Sequence, residues 1–269
     1  MTAIRIEPAI VGAQAPAEQH LTIPGPDPIP AILVRPTGSG PWPAVVILHG
    51  AGRSKEDNLV DARTLARRGI VAVLVDLRGH GERSTRIADM EDGAVPILDY
   101  LPACAGSAQD VSRVAAYLRA VPGLCTGVVG AAGASMGGQA ALLAAIADPS
   151  LDPLALFSPM IHELPIDPSE YPSAAGRSDE LDAAGALVDI LGRSGSLHPR
   201  RIGIAHGSHD PVAPFARVQR LFDQLAPAYR DQPERLALFV HPGGHGSPDP
   251  IIDRLIDWLT EAIAPDGGA

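Results

Sequence analysis

The sequence predicts an α/β architecture, a mostly parallel central sheet with helices on both faces. Short apolar, β-branched runs alternate with helical stripes along most of the chain, and the links between them are short. At one junction a buried strand passes through a Gly-x-Ser-x-Gly turn straight into an Ala-rich helix. With 269 residues, 46% of them hydrophobic and 19% charged, the chain can bury a sizeable core without disulfides or metals. One domain with an inserted cap is the simplest organisation.

Extended, proline-punctuated segments fill the first forty residues and read as edge strands, Ile29 to Arg35 among them. Ala44 to Leu48 has the length and branching of a strand buried on both faces. Ser54 and Asp57 resemble a capping box, after which Leu59, Ala62, Leu65 and Ala66 form a helical stripe ending at Gly69. The pattern then repeats: strand Ile70 to Val75, helix from about Ala108 to Ala120, strand Gly127 to Ala132, helix Met136 to Ala147. Strands follow at Leu154 to Phe157, Ile202 to Ala205 and Leu236 to Val240, with helices near Phe215 to Leu225 and Ile251 to Ile263. Residues 158–198 break the rhythm with prolines, helical fragments and no strand, so they read as a cap over the sheet's C-terminal edge. That segment carries seven acids against two arginines, a field expected to disfavour anionic substrates if it covers the site.

Composition excludes several classes of function. A net charge of -10 argues against nucleic acid and anionic membranes as partners, since both require clustered Lys and Arg. No apolar run reaches the roughly 20 residues of a membrane span. Arg5, Glu7 and Pro8 spoil a secretory signal at the N-terminus, so a cytoplasmic location is expected. Cys104 and Cys125 flank a predicted helix at about 107–121, roughly 22 Å long and beyond the reach of a disulfide. Both are expected to be free thiols. Lys55, the single lysine, reads as composition bias.

The chemistry concentrates in five loops. In Gly133-Ala134-Ser135-Met136-Gly137 the flanking glycines let strand turn into helix sharply, which exposes the Ser135 hydroxyl above the sheet. A serine needs a base, and the base an acid that holds its tautomer. His245, in Pro-Gly-Gly-His-Gly after the last strand, is the candidate base; His241 is its rival but abuts the strand. Asp210, in Gly-Ser-His-Asp-Pro, is the candidate acid, with a helix N-cap as its structural alternative. An oxyanion requires two N–H donors, expected from Met136 and from Ala51 in His49-Gly50-Ala51-Gly52. His49 reads as a residue that fixes this loop, and Asp76 to Gly81 as a structural turn. The pairs His206/His209 and His241/His245 contain Gly or Pro and do not form a helical metal motif. The first buried strand is not followed by a dinucleotide-binding G-x-G-x-x-G.

These segments, LHGAGRSKED at 48–57, VDLRGHGER at 75–83, GASMGG at 133–138, GSHDPVAP at 207–214 and PGGHG at 242–246, resemble the dienelactone hydrolase and prolyl-oligopeptidase-like esterase group. The resemblance implies an α/β-hydrolase fold, a triad of Ser135, Asp210 and His245, oxyanion donors at Ala51 and Met136, and hydrolysis of small or aromatic acyl esters without cofactor or metal. Dienelactone hydrolases use cysteine where Ser135 stands, which turns the expectation away from that substrate. A thioesterase, a carbon-carbon bond hydrolase or a non-catalytic binding module on the same fold are the alternatives.

Overall fold

The computed structural model describes residues 15–84 and 96–264. Arg5, Glu7 and Pro8, on which the signal-peptide expectation rests, lie outside them. Eight strands form one sheet in the order β1-β2-β4-β3-β5-β6-β7-β8. They are β1 (Ala17–Ile23), β2 (Ile29–Arg35), β3 (Trp42–Leu48), β4 (Val71–Val75), β5 (Cys125–Ala134), β6 (Leu151–Phe157), β7 (Ile202–Gly207) and β8 (Leu236–His241). β2 runs antiparallel to both β1 and β4, and the remaining neighbours pair in parallel. The strand predicted at the edge is therefore second in the sheet. Pro30 fits there because the ladder to β4 begins only at Ala31, so the missing N–H lies beyond that pairing.

Among the described residues six α-helices accompany the strands, five between them and the last after β8: α1 (Leu59–Arg67), α2 (Ile97–Ala120), α3 (Met136–Ala147), α4 (Ser178–Ala186), α5 (Phe215–Leu225) and α6 (Asp249–Ile263). Alternation along the strands divides the core in two. On β3, Ala44, Val46 and Leu48 pack with α2, α3, α5 and the 158–198 segment, while Val45 and Ile47 pack with α1 and α6. α3 is buried on all sides from Met136 to Ala145, as its almost wholly apolar composition requires, and its one polar residue, Gln139, accepts from Tyr100 O–H at 2.8 Å.

α2 begins about ten residues before the predicted helix. Pro102 and Gly106 look like breakers, but a methyl at Gly106 would collide with the Arg78 side chain at 2.6 Å, so tertiary packing selects the glycine and overrides propensity. Cys104 accordingly lies inside the helix instead of flanking it. Both cysteines are free, and burial pushes the Cys104 thiol far above its usual range. Among the described residues no helix is long and apolar enough to cross a membrane.

Residues 158–198 hold α4 and short 3-10 turns, packed against α2, α3 and α5. Several acids of this segment are paired: Glu163 with Arg220, Glu170 with Arg217 at 2.7 Å and Glu180 with Arg177 at 2.6 Å. At its start, the buried His162 ring sits between Tyr100 and Tyr171. Burial, reinforced by the charge of Arg217, pushes its pKa down to about 4. His162 is thus neutral when folded, while in the unfolded chain it titrates near 6.5. Stability from this group is complete above that value and falls as the pH drops from about 6.5 towards 4, by on the order of 2–3 kcal/mol. Urea unfolding at pH 7 and pH 4.5 should show this loss, and His162→Phe should reduce it; parallel pH profiles for the two proteins would remove His162 from the account.

Candidate active site

Ser135 stands at the junction of β5 and α3 with φ 52° and ψ -113°, a left-handed conformation costly for a residue with a side chain. The flanking glycines explain how the turn closes. A methyl on Gly133 would lie 2.4 Å from the Gly137 carbonyl, and one on Gly137 would lie 2.5 Å from the carbonyls of Leu48 and His49. The helix thus starts in contact with the strand that precedes it and with the exit of β3. Backbone bonds hold the turn: Ser135 N–H donates to Phe157 O at 2.8 Å, and Ser135 O accepts from Gln139 N–H at 3.0 Å and Met160 N–H at 3.1 Å.

The loop after β3 lies beside this turn, since a methyl on Gly50 would sit 3.6 Å from Ser135 Cβ. Its anchor is His49, whose Nδ1 bonds Gly50 O at 2.7 Å while Nε2 accepts from Leu77 N–H at 3.0 Å. Those bonds require the neutral Nδ1–H tautomer, and burial holds the ring's pKa below its usual value. Ala51 follows in the loop. Met136 opens α3, so its N–H has no acceptor within the helix.

His245 Nδ1 lies 2.8 Å from Asp210 Oδ2. The Asp210 side chain is fully buried, and its Oδ1 accepts from Val212 N–H at 2.8 Å and Ala213 N–H at 2.9 Å. The N-cap alternative for Asp210 does not hold, because α5 starts at Phe215 with Pro214 before it. What the carboxylate organises is the turn ahead of the helix. Ser135, His245, Gly50 and Ala51 line one cavity of about 620 Å³. His241 is buried at the end of β8, outside that lining. His206 Nε2 bonds the Ala213 carbonyl at 2.9 Å, and His209 Nδ1 faces Ser208 Oγ at 3.2 Å, so this pair serves its own loop.

Two features escaped the sequence reading. Ser158, at the end of β6, has φ 42°, lines the cavity and accepts from Gly246 N–H at 3.4 Å, next to His245. A serine at a strand's C-terminal end is the only sequence signal for it. The second is Lys55, which is buried, not a bystander of composition. Its Nζ donates to Asp76 Oδ2 at 2.7 Å and Glu82 Oε1 at 2.6 Å, and its N–H donates to Asp76 Oδ1 at 2.9 Å. Burial pulls the ammonium pKa down, but the bonds to Asp76, Glu82 and Glu56 outweigh it and hold the group charged. This pair fastens the loop carrying Ala51 to the turn after β4. That turn is indeed structural: Arg78 grips Asp110 of α2 through two bonds, at 2.9 and 3.0 Å.

A family model described as "Alpha/beta hydrolase family" matches residues 45–267. The "Putative esterase YitV" of Bacillus subtilis (strain 168) is 27% identical over 228 residues, covering 81% of this chain and 88% of that protein. Among solved structures, TT1662 from Thermus thermophilus superposes with a TM-score of 0.73 at 23% identity, covering 94% of this chain and all of that one. Acetyl xylan esterase 1 from Thermoanaerobacterium sp. JW/SL YS485 gives 0.71 at 17% identity, covering 97% and 88%.

Lys55→Met should destabilise the fold by about 3 kcal/mol, because it leaves the fully buried Asp76 carboxylate without its counter-charge. Chemical unfolding would register this as a lower midpoint at unchanged slope; a loss under about 1 kcal/mol would mean the pair is replaceable by packing.

Proposed function

The chain belongs to the alpha/beta hydrolase family, and from that premise we propose that it is a serine esterase working through an acyl-enzyme. One observation carries the reading: Ser135, strained at a strand–helix turn, shares a cavity with His245, whose far nitrogen is bonded to the buried Asp210. The carboxylate favours the tautomer with the proton on Nδ1, which leaves Nε2 as the acceptor for a hydroxyl proton. Ser135 Oγ attacks the ester carbonyl as His245 takes its proton. The negative oxygen of the tetrahedral intermediate is met by the N–H groups of Ala51 and Met136, fixed in advance by the His49 anchor and the helix start. His245 then protonates the leaving alcohol. Water, deprotonated by the same histidine, releases the acid. The name of the YitV relative supports an ester as the bond cleaved.

Ser135→Ala should lower kcat for a short aryl ester by on the order of 10⁴-fold or more. His245→Ala should do the same, and the double variant should be hardly worse, because the residues act as a unit. A fluorophosphonate probe should attach at Ser135, read by peptide mass spectrometry. Activity within tenfold of wild type after Ser135→Ala would sink the assignment, and a stronger effect of His241→Ala than of His245→Ala would misplace the base.

A further inference from the structure

Among the described residues of the 158–198 segment, only Ser158 reaches the lining of the cavity at Ser135. With Ser135 it makes the pair of non-glycine residues at positive φ among the described residues, 42° beside 52°. The strand register explains why they lie together. Ala134 of β5 pairs with Phe157 of β6, so each serine is the first residue beyond a matched pair on adjacent parallel strands. Backbone bonds clasp the two turns: Ser135 N–H donates to Phe157 O at 2.8 Å, Met160 N–H donates to Ser135 O at 3.1 Å, and Ser158 N–H donates to Ala205 O at 2.8 Å. The bend at Ser158 returns Met160 to Ser135 and lays Pro159 on α3, where a methyl at Gly138 would lie 3.0 Å from Pro159 Cβ.

A glycine would make this bend at lower cost, because it is the side chain that positive φ penalises. What glycine lacks is the hydroxyl. Ser158 is 2% exposed, yet its Oγ has a single partner, Gly246 N–H at 3.4 Å, which is long for an N–H···O bond. Among the described residues nothing accepts the Ser158 O–H. A buried hydroxyl with an unused donor, on a strained residue beside the nucleophile, is left for a molecule in the cavity.

Resting on the esterase reading, we propose that Ser158 is a further catalytic residue, which donates its O–H to the oxygen of the departing alcohol. Sheet order decides which substrate atom it meets. The loop of Ala51 follows β3, on one flank of Ser135, and Ser158 follows β6, on the other. In the tetrahedral intermediate the carbonyl oxygen turns towards the N–H groups of Ala51 and Met136, and the leaving oxygen turns towards His245, which protonates it. Because Gly246 ties the His245 loop to Ser158, the leaving oxygen faces Ser158 as well. Ser158 keeps its proton throughout. As the C–O bond breaks, its electron pair goes to the leaving oxygen and His245 supplies the proton; the Ser158 hydrogen bond shares the negative charge that builds before that proton arrives. In deacylation the attacking water takes the place of the alcohol and meets the same donor.

The test varies the leaving group of one acid, from 4-nitrophenyl through phenyl to ethyl acetate, and compares kcat/KM, which reads acylation, for wild type, Ser158→Gly and Ser158→Ala. The charge needing support grows with the basicity of the leaving oxygen. The loss should therefore be about threefold for the nitrophenyl ester and about 30- to 100-fold for the ethyl ester, so that their ratio shifts by about tenfold or more in both variants. Relief of the left-handed strain offsets the freedom that glycine adds to the unfolded chain, so Ser158→Gly should unfold within about 3 °C of wild type. Ser158→Ala keeps the strain, deletes the same oxygen and carries the test if the glycine variant does not fold. A loss of equal size for every leaving group would mean that Ser158 only holds the His245 loop, and no loss would mean that its hydroxyl is idle. Either result overturns the proposal, while turnover and labelling of Ser135 in the wild type leave the esterase standing. Absence of both in the wild type would remove the two readings together.

Discussion

The close crossing of β5, α3 and the exit of β3 is the constraint on which the rest of the site depends. Gly133 and Gly137 touch, and Gly137 also rests on the Leu48 and His49 carbonyls, so any side chain at either position would push helix from strand. That single contact fixes the left-handed Ser135, aims the first N–H of α3 and sets the loop from His49 onward beside the serine. The strain at Ser135, of order 1–3 kcal/mol, is sustained because three backbone bonds and the two glycine contacts over-determine the turn.

Loops held this closely need supports that the apolar core does not provide. The buried Lys55–Asp76 pair fastens the first loop to the turn after β4, and Asp110 fastens that turn to α2 by taking Arg78, Arg83 and Arg113 together. Burial alone would raise the Asp110 pKa, but the bonds from Arg78 and Arg83 hold it below the usual carboxylate range. Gly81 belongs to the same construction: with φ 51°, it passes so near Asp76 that a methyl would lie 2.1 Å from the carboxylate. Buried charges that would otherwise be costly are tolerated here because nearly every oxygen has a donor.

How legible this was follows from the physics of each part. α3 is legible because the Gly-x-Ser-x-Gly turn marks its start and an apolar, Ala-rich run carries it to Ala147, α5 because no Gly or Pro interrupts it, and the parallel strands because runs such as Ala44 to Leu48 admit no other burial. Ser135, Asp210 and His245 could be nominated because each lies in a loop following a strand, and parallel strands bring all such loops to one edge. The start of α2 was missed since Gly106 answers to Arg78, a partner 28 positions earlier that no local pattern reveals. Lys55 was missed for a related reason. A solitary lysine resembles noise until Asp76 and Glu82 are seen around it.

The least legible feature was the direction of the cavity, and the reason lies in β5. To let α3 cross it on one side, the strand presents Gly133; to its other face it gives Ala132, and β6 alongside gives Ala155. In a sequence these small residues look like ordinary members of a Gly- and Ala-rich chain. In the sheet Ala132 and Ala155 lie between α1, which packs over β4 and β2, and α6, which packs over β6 and β7. Elsewhere on that face Gly203 is filled by Trp258 and Leu255, whose atoms come within 2.6 and 2.7 Å of where its side chain would begin, so small residues there mark close helix packing. Ala132 and Ala155 instead line the cavity that opens at Ser135. The strand that delivers the serine is thus also the one that opens a path away from it, because both follow from removing bulk at its C-terminal end.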